Sequence, residues 1–305
     1  MSELHVYYYL ARPAAVLRAT GPDAFTFLQS QFSNDLRVEG VEQPVTYGLW
    51  LDHKGKIQAD SFIIQKTRED FWVLSYDCSA LKLRGHLESH LIADEVELRD
   101  ESAELALLHI WAERYEESFA ELIEGLARAA GAESWMGRRP TLYSSWDVLA
   151  PKAVLEKIAR ELEAQGVESA PGEAMFVARL MAGVPAVPAD AGPGELPQEA
   201  GLEREGVSFD KGCYAGQEIM SRLHTQGHVN RALWQVRWEG DAPAAVKTLY
   251  AGGEEAGELR SHLVGDAGGL GLAMLKKRAL TGQPALSFAP NGPKIVRPMR
   301  DLTAG

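Results

Sequence analysis

Three strand-like runs follow one another in the first quarter of the chain with only short connections between them. Residues 45–51, 57–64 and 71–76 are rich in β-branched and aromatic side chains, and the turn-forming sequence Asp-His-Lys-Gly at 52–55 joins the first two. Parallel neighbours need a crossover of a dozen or more residues, which these connections do not provide. The runs therefore predict an antiparallel meander.

Helical periodicity alternates irregularly with strand-like runs. Phe25, Leu28 and Phe32 fall at i, i+3 and i+7, which predicts a helix with one apolar face. Thr20 is expected to cap this helix, with Asp23 three residues on to complete a capping box. Further helices are predicted over residues 79–92, 113–130 and 151–165. Because strands and helices mix without regular alternation, the sequence favours an α+β fold.

The second half of the chain changes in texture. Residues 182–201 contain four prolines and four glycines, which predicts a long ordered loop. After residue 230, short strand-like runs alternate with glycine and proline turns, as in a small all-β barrel. A chain of 305 residues also exceeds one ordinary hydrophobic core. We therefore predict a large region over 1–230, with residue 110 as its expected internal division, and a β-barrel over 231–305.

Charge and cysteine content limit the classes of function. The formal net charge of −12 argues against general electrostatic binding to nucleic acid or to an anionic membrane. Two cysteines, Cys78 and Cys213, cannot form a disulfide framework, so a reducing compartment is expected. No apolar run approaches the roughly 18 residues of a membrane-spanning helix. The sequence predicts a cytoplasmic protein.

Residues 209–218 form the most informative segment, Phe-Asp-Lys-Gly-Cys-Tyr-Ala-Gly-Gln-Glu. Gly212 and Gly216 bracket Cys213, which predicts a tight turn that leads into a helix. A thiol at a helix N-terminus beside Lys211 lies where positive potential favours the thiolate. Cys213 is therefore a candidate nucleophile, redox thiol or soft metal ligand, and equally a small buried residue that stabilises the turn. Cys78, at the end of an apolar strand, is interpreted as structural.

A metal site of this chain alone is not predicted. Cys213, His224 and His228 are the nearest possible ligands, but no second cysteine lies nearby. Gly227 would also interrupt the helix that should align the two histidines. Shared ligation of an iron–sulfur cluster would need cysteines from a partner.

The octapeptide at 211–218 resembles the signature of the folate-binding YgfZ family, relatives of the glycine-cleavage T-protein. Leu-Pro-Gln-Glu at 196–199 precedes it and Val-Asn-Arg at 229–231 follows it in the expected order. Residues 21–25 and 27–36 are similar to that superfamily's first helix and the loop after it, and Arg-Leu-Met-Ala-Gly at 179–183 is similar as well. The resemblance implies a multi-lobed, T-protein-like region around a central cavity, followed by the barrel.

The resemblance also implies a tetrahydrofolate site and its residues. Asp35 matches the aspartate that faces the reactive nitrogens of the folate, where a carboxylate accepts hydrogen bonds or a proton. An Asx-type turn with Asn34 is the structural alternative for this residue. Asp60 also matches a superfamily acid, although an acid on the polar face of a half-buried strand needs no function. Asp35 and Cys213 are the predicted catalytic pair, and the other predicted folate-binding residues are Lys211, Gly212, Tyr214, Gly216, Gln217, Glu218, Arg222 and Arg231.

Three functions stay open on the sequence. The resemblance implies a folate-binding accessory protein that supports cluster assembly or repair in iron–sulfur client enzymes, including radical enzymes that thiomethylate tRNA. A one-carbon transferase that uses tetrahydrofolate is the alternative. Met181 stands where T-protein enzymes carry a glutamate that grips the pterin, and a thioether cannot accept its N–H groups. A folate-free scaffold is the third possibility, and direct tRNA binding is not expected.

Overall fold

The computed structural model describes residues 5–38, 40, 44–112, 114–137, 144–240, 247–282 and 285–304. The strands are β1 Val6–Ala11, β2 Ala15–Thr20, β3 Val45–Leu51, β4 Ile57–Thr67, β5 Asp70–Ser75, β6 Glu97–Asp100, β7 Ala106–Ala112, β8 Glu133–Met136, β9 Ser144–Ala150, β10 Glu168–Ser169, β11 Arg231–Glu239, β12 Thr248–Ala251, β13 Glu254–Gly265, β14 Gly268–Lys276 and β15 Val296–Asp301. The helices are α1 Ala24–Gln31, α2 Ala80–Glu88, α3 Glu117–Ala130, α4 Lys152–Ala164, α5 Gly172–Ala182, α6 Pro197–Ala200, α7 Glu203–Gly206 and α8 Gln217–Gln226.

The strands form three five-stranded sheets. The first has the order β10-β1-β7-β9-β8, the second β3-β4-β5-β2-β6 and the third β12-β13-β14-β11-β15. The predicted meander is confirmed, because β3, β4 and β5 pair antiparallel in sequence order. β1 and β2 belong to different sheets although only three residues separate them. The short connection from β1 to β2 therefore brings the first two sheets together.

Helix starts differ from the predictions in one instructive place. Thr20 is the last residue of β2 and does not cap α1, which begins at Ala24 with Asp23 as its N-cap. The Asp23 carboxylate instead accepts a hydrogen bond from the Glu95 backbone N–H at 2.9 Å. The predicted capping box is therefore wrong, because the carboxylate is used to fasten a distant loop.

Two long helices cover the first sheet. α3 and α4 bury Ile123, Leu155 and Leu162 against it, which confirms their predicted apolar faces. Residue 113, the predicted start of α3, lies outside the described residues, and the described helix begins at Glu117. β8, β9 and α5 were not predicted. β9 is buried along nearly its whole length, so it lacks the alternation that marks a half-buried strand.

The proline- and glycine-rich stretch is an ordered loop, as predicted, that ends in the short helix α6. Asp190 holds it, because its carboxylate accepts hydrogen bonds from the Arg179 guanidinium at 2.7 Å and the Ser261 backbone N–H at 2.8 Å. Past residue 230 the all-β architecture begins, as predicted, and β11 starts at Arg231. Residues 286 and 287 form only isolated bridges, which link β12 to β15. Among the described helices, none combines the length and apolar character needed to cross a bilayer.

The expected division near residue 110 falls within β7, which pairs with β1 along its full length. Residues on both sides of that position therefore share one sheet. The domain boundaries stay a prediction. The predicted α+β architecture is confirmed, with an N-terminal region of mainly antiparallel sheets and a C-terminal all-β region.

Candidate functional site

Cys213 lies in a loop between α7 and α8, as predicted from its flanking glycines. The helix begins four residues later at Gln217, with Gly216 as its N-cap in the left-handed region at φ 81°. A Cβ atom on Gly216 would lie 2.7 Å from the Asp52 carbonyl oxygen. Only glycine therefore allows the start of α8 to pack directly against the turn that joins β3 and β4.

Lys211 fastens the same loop to the end of α1. Its buried ammonium group donates to the carbonyl oxygens of Gln29 at 2.6 Å, Phe32 at 2.7 Å and Asn34 at 3.0 Å. Burial lowers the pKa of Lys211 to about 8. Because an ammonium has three N–H donors and all three are used, the folded chain leaves none for the folate that Lys211 was predicted to bind.

A pocket of about 580 Å³ opens beside Cys213, whose side chain is exposed. The pocket joins the cysteine loop to the β3–β4 turn and to α2. Its wall consists of Asp52, His53, Gln58, His86, His90, Cys213, Tyr214, Ala215, Gly216, Gln217 and Glu218. The structure thus brings together most of the predicted octapeptide, and it adds three histidines that the sequence analysis did not select.

Two buried polar atoms of this wall have no hydrogen-bond partner among the described residues, His86 Nε2 and Tyr214 Oη. Tyr214 is only 7% exposed, and burial raises the pKa of its hydroxyl to about 12. Burial, with a smaller contribution from His90, lowers the pKa of His86 to about 4. Both groups are therefore neutral at pH 7, and both retain hydrogen-bonding capacity that no described residue uses.

Asp35 does not belong to this wall. Its carboxylate accepts hydrogen bonds from the Gln29 amide at 2.8 Å, the Arg37 backbone N–H at 3.0 Å and the Arg37 guanidinium at 2.7 Å. These bonds hold the pKa of the Asp35 carboxyl well below its usual range. The bond from the Arg37 backbone N–H, two residues on, forms an Asx turn at Asp35 itself, and Asn34 Oδ1 accepts from the Asp35 backbone N–H at 2.9 Å. Asp35 thus does not line the pocket at Cys213, and its predicted role toward folate stays a prediction.

The other predicted cations occupy different settings. The Arg231 guanidinium forms a two-pronged ion pair with the Glu199 carboxylate, with both N–O distances at 3.0 Å. Two separate pieces of the family signature thus pair with each other, and the folate-binding role of Arg231 stays a prediction. Arg222 is exposed on α8. Gly212 lies outside the pocket wall, with nothing within 4 Å of the position of its absent Cβ.

A second polar group, largely missed by the sequence analysis, lies between the first two sheets. Asp60 is 4% exposed and accepts a hydrogen bond from the Tyr47 hydroxyl at 3.1 Å. Nearby, the buried Asp147 carboxylate pairs with His109 Nδ1 at 2.5 Å and with the Tyr76 hydroxyl. His109 and Asp147 are direct partners across β7 and β9, so this pair became visible only once β9 was placed.

A third feature surrounds Met181, the residue that departs from the T-protein pattern. Its side chain is 49% exposed at the mouth of a pocket of about 670 Å³ between α5 and the barrel. Trp238, Leu263, Leu270 and Met299 supply most of the apolar wall. Arg237 also contributes to this pocket.

Comparison with known proteins agrees with this architecture. Residues 14–137 match the GCVT N-terminal domain and residues 231–295 match the CAF17 C-terminal beta-barrel domain. The iron-sulfur cluster assembly factor IBA57, mitochondrial, of Mus musculus is 28% identical over 88% of this chain and 77% of its own. The tRNA-modifying protein YgfZ of Edwardsiella ictaluri is 26% identical over 72% of this chain and 68% of its own.

One solved structure shows the same fold. The glycine cleavage system aminomethyltransferase T from Bartonella henselae matches with a TM-score of 0.70 over 90% of this chain and 79% of that one. The sequence identity is 17%, so this match bears on the fold alone.

Proposed function

Because this chain belongs to the YgfZ and IBA57 family of T-protein relatives, we propose that it supports iron–sulfur cluster assembly or repair and that Cys213 carries out its sulfur or cluster chemistry. The observation that carries the proposal is the exposed Cys213 thiol on the wall of a pocket with two unsatisfied polar groups. The names of the relatives, one a cluster assembly factor and one a tRNA-modifying protein, support the same class of function.

The two cysteines differ in the way this proposal requires. Cys78 is 1% exposed, and burial followed by the nearby Asp60 charge raises the pKa of its thiol to about 11. A thiolate is the nucleophile and the metal ligand, so Cys78 is inert in this setting. Cys213 is open to solvent and to an approaching protein. No three metal-ligating side chains converge within the described part of the chain. The proposal assigns the remaining cluster ligands to a partner.

The clients of such a protein are iron–sulfur enzymes, including radical enzymes that thiomethylate tRNA. An effect on tRNA would pass through these enzymes, since the acidic chain lacks the net positive charge of a general nucleic-acid binder. A cytoplasmic location is part of the proposal. Aminomethyl transfer is not favoured, because Met181 replaces a carboxylate that would accept the pterin N–H groups.

A reduced folate is the proposed ligand of the N-terminal region, and the polar group between the sheets fits it better than Asp35 does. Asp60 supplies a buried carboxylate beside Tyr47, and Trp135 Nε1 is a buried donor with no partner among the described residues. The Trp135 ring lies 5.7 Å from that of Phe62, which itself contacts Tyr47. A bound folate would carry the one-carbon unit, while Asp60 accepts N–H groups and the aromatic side chains exclude water.

Genetic complementation tests the assignment of Cys213. Deletion of the gene should lower the activities of a subset of iron–sulfur enzymes, and wild type should restore them. Cys213→Ala should fail to restore them, whereas Cys78→Ala, the matched control, should succeed if the protein accumulates normally. Full complementation by Cys213→Ala would remove the proposal.

Equilibrium binding tests the folate part separately. Tetrahydrofolate should bind the wild type in a saturable way, and Asp60→Asn should weaken it about tenfold, which corresponds to about 1.4 kcal/mol. Asp35→Asn should leave the affinity within about twofold, because that carboxylate is occupied by Arg37. If Asp35→Asn weakens binding and Asp60→Asn does not, Asp35 is the folate-binding acid, as the resemblance implies. If the wild type shows no saturable binding, the folate-free scaffold is favoured.

A further inference from the structure

The pocket beside Met181 has the size and the composition of a small-molecule site. Its volume of about 670 Å³ falls within the roughly 300–1,000 Å³ of ordinary ligand pockets, and it lies between α5 and the third sheet. Met181 and Met299 both belong to its wall, and they are 49% and 58% exposed. Large apolar side chains that remain open to water around a cavity are typical of a binding site.

The walls of this pocket are fixed by the fold. Trp238 is 1% exposed, and its ring packs edge-on against Phe288 with the centroids 5.5 Å apart. A Cβ atom on Gly269 would lie 2.1 Å from Trp238 Cζ2, so only glycine lets the β13–β14 hairpin lie directly on that ring. On the other side, the Gln235 amide donates to the Met181 carbonyl oxygen at 2.9 Å and holds the end of α5 in place. The cavity is therefore preformed.

Two arginines lie side by side at one end of the pocket. Arg237 on β11 belongs to the wall, and its direct partner across the sheet is Arg297 on β15. Directly opposed residues of antiparallel strands share one face with their Cβ atoms about 5 Å apart, so like charges there destabilise the sheet. Both side chains are exposed, and neither guanidinium has an ion pair or a hydrogen bond to a described residue. An anion between them would relieve this repulsion.

The acidic side chains of the wall lie toward its opposite end. Glu239 is two residues beyond Arg237, about 7 Å along β11, and it has no partner residue on β15. Asp266 lies in the hairpin turn between β13 and β14. The pocket thus offers a cationic end, an apolar middle and an acidic end. This order fits a ligand with a single anionic group at one end of an apolar body.

We infer that this pocket binds an amphipathic organic anion. The carboxylate or sulfonate group of the ligand lies between Arg237 and Arg297, because the guanidinium fork matches the geometry of such groups. The apolar body lies against Trp238 and the two methionines. The inference goes beyond the proposed function, since the pocket shares no residue with the wall at Cys213 or with the polar group at Asp60.

Two fluorescent probes of the same shape test the inference on the full-length chain. Anilinonaphthalene sulfonate carries the anionic group, and N-phenylnaphthylamine lacks it. Arg237→Gln and Arg297→Gln should each weaken binding of the sulfonate about fivefold and change binding of the amine by less than about twofold. Met181→Asp places a carboxylate at the mouth and should weaken both probes. Arg278→Gln, the matched control at an exposed arginine outside the pocket, should leave both affinities within about twofold of wild type.

The contradicting results are distinct from those for folate. Unchanged sulfonate affinity in both arginine variants, or equal weakening of the two probes, would overturn the anion site, and no saturable binding of either probe would overturn the pocket. Tetrahydrofolate should not displace the bound sulfonate. Displacement that persists in Asp60→Asn would show that this pocket holds the folate, and the inferred separate ligand would then be wrong. Absence of folate binding by the wild type would leave the probe results intact. Circular dichroism checks that each variant is folded.

Discussion

The pocket at Cys213 and the loop at Asp35 meet at one buried lysine, but they differ in how completely their polar groups are satisfied. At the loop, Asp35 accepts hydrogen bonds from Gln29 and Arg37, and three main-chain carbonyl oxygens accept from the Lys211 ammonium group. At the pocket, His86 Nε2 and Tyr214 Oη have no partner among the described residues. A matched family motif therefore does not identify a ligand site by itself. The satisfied group supports the fold, and the unsatisfied groups point to the ligand.

The largest expected effect comes from the lysine that joins these two regions. Lys211→Met would leave three main-chain carbonyls without their donor, two of them at the end of α1 and one at Asn34. We expect a loss of about 3 kcal/mol in the free energy of unfolding, about 1 kcal/mol for each hydrogen bond. Urea unfolding measures it, and Lys54→Met, at an exposed lysine of the β3–β4 turn, should change stability by less than about 0.5 kcal/mol.

The same lysine predicts a pH dependence. The folded-state pKa of Lys211 is about 8, below the ordinary value of 10.5, so the unfolded chain holds this proton more tightly. Unfolding is therefore disfavoured as pH rises from about 8 to 10.5. The stability advantage of wild type over Lys211→Met should grow across that window. An advantage that shrinks there would show that the ammonium is not desolvated in the folded protein.

The next effect concerns the glycine that places the cysteine loop against the β3–β4 turn. Gly216→Ala combines a positive φ with a Cβ atom 2.7 Å from the Asp52 carbonyl, so we expect a loss of about 2 kcal/mol. Gly212→Ala, in the same loop with open space around it, should cost less than about 0.5 kcal/mol. Thermal and urea unfolding of the pair measure the difference. Equal stabilities would mean that the loop does not depend on its contact with the turn.

The sequence indicated the local part of this site and missed the distant part. The turn around Cys213 was predictable from Gly212 and Gly216, because a tight turn requires glycines at nearby positions in the sequence. His86 carried no such signal, since its place on the wall depends on how α2 packs beside β3. The ion pair between Asp35 and Arg37 was not predictable, because only the folded loop defines the direction of the Arg37 side chain.

The same distinction applies to the fold. The meander was predictable because each of its strands carries its own apolar pattern and its turns are short. β9 was not predicted, since burial on both faces removes the alternation that identifies a strand. Arg231 and Glu199 could have been paired from sequence only by noticing that both belong to the family signature. Their ion pair joins α6 to the first strand of the barrel, which is a tertiary contact.

The smallest stability effect gives the sharpest test of the comparison between satisfied and unsatisfied groups. Tyr214→Phe removes a buried hydroxyl that has no partner in the described structure and leaves the ring in place. If the hydroxyl made a structural hydrogen bond, its removal would destabilise the fold. Because it has no such partner, its removal should leave the free energy of unfolding unchanged or raise it by up to about 1 kcal/mol, since the cost of burying an unbonded hydroxyl is relieved. A loss of stability above about 1 kcal/mol in urea unfolding would mean that the hydroxyl already has a partner in the folded chain, and the pocket would then have one fewer group available to a ligand.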